Sequence, residues 1–171
     1  MSYATSALAT FANMLGTLDH LIDKASAHEK GEALLQARLA EDMFPLATQI
    51  RFTAAQVVIG LNRLGNLELA LDESDIADFA DAKARVAKVR DLVAATDAAD
   101  WPSSDTVIEF DLPNGMAFAM QAHEYLRDWV IPQFYFHLMA AYSLLRMEGV
   151  SVGKADYVPH MMKYLKAPAA A

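Results

Sequence analysis

Four stretches of this chain repeat apolar residues at steps of three and four, a spacing that constrains the fold more than any other feature. In the first, Ala4, Leu8, Phe11, Leu15, Leu18, Ile22 and Ala25 share one side of a helix, with Asp19, His20 and Asp23 mostly off it. The second is predicted to start near Asp42 and to stop at Gly65-Asn66. Pro45 falls in its first turn, where a missing N–H breaks no helical bond. Its stripe reads Met43, Ala47, Ile50, Ala54, Val57, Leu61 and Leu64. The third runs from Ser74 or Asp75 to Ala95 on Ile76, Phe79, Ala82, Val86, Val89 and Val93. Asp75 and Asp78 suit its N-terminus, where the helix dipole is positive. The fourth spans Gln121 to Glu148, on a stripe of Leu126, Val130, Gln133, His137, Ala140, Leu144 and Met147. A kink is expected at Pro132, which cannot donate to the carbonyl of Asp128.

Four helices with one apolar face each have one economical arrangement, so the expected fold is an all-α, antiparallel four-helix bundle. Residues 26–41, with Gly31, read as a connection holding a helical turn. Residues 96–120 change character. Trp101-Pro102-Ser103-Ser104 is a loop, Thr106–Phe110 alternates like a strand, and Pro113-Asn114-Gly115 is turn chemistry leading into Met116–Met120. A small β-hairpin inserted between the third and fourth helices is therefore expected. The length of 171 residues suits one domain over residues 1–171. The tail from about residue 159 reads as peripheral, ending in a frayed Ala-Pro-Ala segment.

The hydrophobic fraction of 54% supports a sizeable core. Cysteine is absent, which excludes disulfides, thiolate metal ligands and cysteine nucleophiles. A formal charge of −8 and scattered basic residues argue against a nucleic-acid partner, which needs clustered Lys and Arg. Charged residues interrupt every apolar stretch before it reaches the ~20 residues of a membrane span. Met1-Ser2-Tyr3-Ala4 lacks the basic start of a signal peptide. The expectation is a cytoplasmic protein with neither membrane nor nucleic acid as partner.

The informative residues are polar ones on apolar stripes. Gln133 and His137 stand four apart on the fourth helix, the spacing from which bundles build metal and ligand sites. A core histidine satisfied by its neighbours is the plainer reading, and a neutral glutamine is a poor ligand for zinc or nickel. Asp42, Gln49, Gln56 and Arg63 recur every seven residues along one flank of the second helix. Either Asp42 or Gln49 could face His137 there and orient the imidazole or complete a metal site. Tyr135, Tyr142 and Arg146 lie on an adjacent face, suited to an anionic or aromatic ligand or to a dimer interface. His20, His28, His123 and His160 are expected at the surface or in caps. There is no glycine-rich phosphate loop, G-x-S-x-G elbow, H-E-x-x-H pair or E-x-x-H pair.

The stretches Leu39-Ala40-Glu41-Asp42-Met43-Phe44-Pro45-Leu46 and Ile131-Pro132-Gln133-Phe134-Tyr135-Phe136-His137 have a family look. With Ala141-Tyr142, Leu145-Arg146, Gly149-Val150, Gly153-Lys154 and Asp156-Tyr157, they resemble a bacterial, domain-of-unknown-function branch of the DinB-like/YfiT-like superfamily. The likeness covers residues 5–158. Metal-dependent members are similar in carrying one histidine on helix two and an H-x-x-x-H pair on the last helix. Some are thiol-dependent transferases or isomerases. Set against that pattern, His137 takes the second place of the pair, Gln133 replaces the first, and helix two has only Asp42 and Gln49 nearby. The resemblance thus implies a degenerate metal site, with no cofactor expected; a divalent metal, if bound, would use His137, Asp42 and Gln133. It implies a homodimer that binds a small molecule or serves as an oligomeric scaffold. The alternative is a divergent metal-dependent hydrolase or thiol-dependent transferase using His137.

Overall fold

The computed structural model describes residues 2–166. It is mostly helical, with one two-stranded antiparallel sheet. Helix α1 spans Tyr3–Ser26, and Ser2 caps it by accepting from the backbone N–H of Thr5. A 3₁₀ segment, Gly31–Gln36, leads to α2 at Leu46–Gly65. Pro45 stands outside α2 as its N-cap, in extended backbone, so Asp42 belongs to the preceding loop rather than to the helix. A residue before proline is steered away from helical angles, and Phe44 occupies that place. Helix α3 spans Phe79–Ala95 and begins later than the acidic residues suggest, because Asp78 takes the cap by accepting from Asp81 N–H. Residues 66–78 are a connection. Asn66 enters it in the left-handed conformation at φ 49°, which asparagine tolerates.

Strands β1 (Val107–Asp111) and β2 (Ala117–Gln121) pair with Phe110 opposite Phe118. A short α4, Ala122–Glu124, opens into a π-helical turn over Tyr125–Val130, followed by α5 at Ile131–Met147. The N–H of Ile131 reaches the carbonyl of Leu126, five residues back. A wider turn ahead of Pro132 replaces the α-helical pattern that proline cannot complete. The extra residue shifts the buried face of α5 by one position. Val130, Phe134, Leu138, Ala141 and Leu145 are buried, whereas His137 and Gln133 sit on the flank and Met147 is exposed. The expected stripe through Gln133, His137 and Met147 is thereby corrected.

Helix α2 packs on both α3 and α5, and α1 packs on α3. A Cβ at Gly60 would stand 3.0 Å from Val130 Cγ1, so the absence of a side chain there permits close approach. Arg63–Tyr125, Gly60–Val130 and Gln49–His137 descend α2 as they ascend the π turn and α5, so α2 and α5 run antiparallel. Short α6 (Lys154–Tyr157) packs on α1, where His20 Nε2 meets Asp156 Oδ1 at 2.8 Å and Thr17 donates to the Tyr157 carbonyl. The 3₁₀ segment Pro159–Tyr164 follows, and Met161–Lys166 are exposed. The Ala-Pro-Ala end lies outside the described residues.

The sheet is pinned by Phe110, which is 6% exposed, stacks on Phe118 and touches Tyr125 and Trp129. The Arg63 guanidinium lies 4.5 Å over the Phe110 ring and donates to the Tyr125 hydroxyl at 3.0 Å. Burial pushes the Tyr125 hydroxyl's pKa up, with Arg63 acting against that. Phe110→Ala is expected to cost about 3–5 kcal/mol in urea unfolding, and Val107→Ala, at the exposed edge, less than about 0.5 kcal/mol. A loss below about 1 kcal/mol for Phe110→Ala would detach the hairpin from the core.

Candidate functional site

The polar contact that joins α2 to α5 is between Gln49 and His137. Gln49 is 1% exposed, buried beyond what a helix flank implies. Its amide nitrogen donates to the Phe44 carbonyl at 3.3 Å, which turns its oxygen toward the imidazole. His137 Nδ1 lies 2.9 Å from that oxygen. An amide oxygen only accepts, so Nδ1 carries the proton and Nε2 keeps the lone pair. Nε2 has no protein partner among the described residues and is not among the sealed, unpaired atoms, so it reaches the surface. The rings of Phe52 and Phe136 lie 5.1 and 5.2 Å from the imidazole, and Phe44 packs edge-on against Phe52. Burial among these groups lowers the His137 pKa to about 4. The ring is neutral at pH 7.

The other sequence candidates scatter. Asp42 is exposed in the loop before α2, and among the described residues it shares no hydrogen bond with His137. Gln133 is half-buried, one turn from His137, with no side-chain hydrogen bond among the described residues. Tyr135 and Tyr142 occupy the opposite flank of α5, where Tyr142 packs edge-on against Tyr157 at 5.3 Å. Burial pushes the Tyr135 and Tyr157 hydroxyls up. Arg146 is exposed and donates to the Val152 carbonyl, so it braces the turn into α6. Of the histidines expected at the surface, His160 departs, because its Nδ1 is buried without a partner among the described residues. Phe44, Phe52 and Phe136 were not expected at the site, although Phe44 and Phe136 stand in the two stretches that carry the family resemblance. The signal was present in Phe52, one turn beyond Gln49 on the same helix.

This donor set does not fit the three-ligand metal centre that the superfamily implies. Among the described residues, no three His, Cys, Asp or Glu side chains are placed to hold an ion. The imidazole nitrogen that faces α2 is protonated and bonded to a neutral amide. A catalytic zinc site needs about three protein ligands plus an open position. What the arrangement offers instead is one exposed acceptor nitrogen framed by aromatic rings.

The depressed pKa has a sign. The unfolded chain, with an ordinary histidine near 6.5, binds more protons than the native one between that value and about 4. His137 therefore costs no stability above pH 6.5, and its cost grows as pH falls, levelling off below about 4. Acidification from pH 7 to pH 5 should destabilise the wild type more than His137→Gln, which cannot protonate. The His137 ring signals in NMR should stay those of the Nδ1–H tautomer throughout that range. A midpoint near 6.5 would refute the buried, neutral assignment.

Comparison with known proteins agrees with this architecture. No curated protein matches the chain. A DinB family member protein from Shewanella denitrificans, known from its crystal structure, is 28% identical with a TM-score of 0.76, over 96% of this chain and 92% of that one. No helix among the described residues is long and apolar enough to cross a membrane. The model of the domain of unknown function DUF1993 matches residues 3–158, and the chain belongs to that family, a branch of the DinB-like superfamily.

Proposed function

We propose that this protein is a single-domain, DinB-like four-helix bundle whose ancestral metal position has become a metal-free binding site for a small molecule. The observation that carries the reading is the Gln49–His137 hydrogen bond. It uses one ring nitrogen to join two helices and presents the other, Nε2, as an acceptor beside Phe52 and Phe136, with Phe44 packed behind Phe52. A nitrogen whose conjugate acid has a pKa of about 4 accepts a hydrogen bond at pH 7 without removing the proton. That favours binding over general-base catalysis. The ligand is a molecule with one hydrogen-bond donor on an apolar or aromatic body. Residues 159–166 are peripheral to this unit.

Elemental analysis of protein purified without a histidine tag should find well under one metal ion per chain. Stoichiometric metal that disappears in His137→Ala would overturn the reading. Phenol should move the His137 Nε2 resonance, and anisole, the same shape without the donor, should move it much less. Equal effects of the two would deny Nε2 its role.

The protein also acts as a homodimer through the outer face of α5. Phe136, Met139 and Met147 are 59%, 48% and 51% exposed there, at spacing that forms one apolar stripe. Light scattering at micromolar concentration should give twice the chain mass, and Phe136→Glu with Met139→Glu should give the monomer. A monomeric wild type refutes the dimer.

A further inference from the structure

The opposite flank of α2 carries a second concavity that owes nothing to His137. It lies between α2, α3 and the 66–78 connection, with a cavity volume of about 50 Å³ that opens to solvent along one side. Ile50 and Val58 face Val86 and Val89 across it, and the short side chains of Ala54, Ala55 and Ala70 leave the room. The wall is built rather than incidental. Asn62 holds Leu69 by two bonds, its amide nitrogen to the carbonyl at 2.9 Å and its oxygen from the N–H at 2.8 Å. Arg85 donates to the Ser74 carbonyl at 2.8 Å, which fixes the far end of the connection.

Charge at this crevice runs against the composition. The chain has 22 acidic and 14 basic residues, yet Arg51, Arg85 and Lys88 stand on the lining with Asp72 as the acid among them. Asp72 is matched by Arg85 at 3.2 Å, and Arg85 is also held by Asp81 at 2.8 Å. Arg51 and Lys88 have no carboxylate partner among the described residues. Arg51 donates to the Glu73 carbonyl at 2.9 Å and lies 4.8 Å from the Phe52 ring centre, so its position is set while its charge stays unmatched. An apolar slot with a small number of convergent charged groups is the usual make-up of a ligand site. Uncompensated positive charge at its mouth selects an anionic head.

We propose that the α2–α3 crevice binds a free alkyl carboxylate, its chain between Ala54 and Val86–Val89 and its carboxylate at Arg51 and Lys88. Octanoate is the probe. Titrated into the full-length protein, it should shift the backbone amides of Ala54, Val86 and Val89 and bind at least tenfold more tightly than 1-octanol. The double variant Arg51→Gln, Lys88→Gln, confined to the lining's polar groups, should weaken octanoate at least tenfold and leave 1-octanol within twofold. Ala54→Leu should abolish binding of both by filling the slot, and a melting temperature within a few degrees of wild type would show that the fold persists. His137→Ala should retain octanoate affinity, which separates this site from the one on α5. Octanoate binding no tighter than 1-octanol, unaffected by the double variant, or matched by octylamine would each overturn the assignment.

Discussion

Proline at position 132 has no N–H to donate, and the helix preceding it must dispose of the carbonyl left behind. The chain does this with a π turn over Tyr125–Val130, in which Ile131 reaches back to Leu126. That single extra residue sets the rotation of everything after it. Phe134, Leu138, Ala141 and Leu145 turn into the core, and His137 is displaced to the flank that faces α2. The same turn supplies Tyr125 and Trp129, on which the hairpin's Phe110 rests. Core packing, the seat of the sheet and the direction of the imidazole all follow from how one missing hydrogen bond is handled.

The rotation explains the character of the site. A histidine at the centre of the core stripe would need partners for both ring nitrogens. On the flank it needs one, and Gln49 provides it from inside α2. The glutamine is oriented in turn by the Phe44 carbonyl, at the break that Pro45 imposes on the start of α2. In this Phe44–Gln49–His137 series of hydrogen bonds each polar group has a defined role as donor or acceptor, and Nε2 stands at its end. Neutral amides and aromatic rings make a low-polarity setting that disfavours imidazolium and offers no further anionic ligand for a cation.

Ionic contacts elsewhere serve a different purpose. Lys83 and Arg90 of α3 meet Asp19 and Asp23 of α1 on the exposed side, and Arg85 draws the 66–78 connection against α3. Exposed pairs of this kind add little stability, because water and salt screen them. They fix how α1 and the connection lie on α3 more than they stabilise the whole. One consequence is the shape of the α2–α3 crevice, whose open side is left to Arg51 and Lys88.

Local sequence was enough for the helical character, the strand pair and the family. Helical periodicity is written residue by residue, as in Phe11, Leu15, Leu18 and Ile22 or in Val86, Val89 and Val93, all of which are buried. The alternation around Phe110 and the Pro113-Asn114-Gly115 turn likewise foretell strands. Gln49 and His137 were also recognisable as polar residues able to meet. What periodicity could not foresee was a change of period inside a helix, so the stripe through Gln133, His137 and Met147 came out one residue off. Nor could it separate Asp42 from Gln49, because Pro45 sets the start of α2 between them, or place Tyr142 against Tyr157 and Arg146 against Val152. Those outcomes depend on contacts between segments far apart in the chain. A helix's own repeat says which residues share a face; only the neighbour packed against it decides which way that face points.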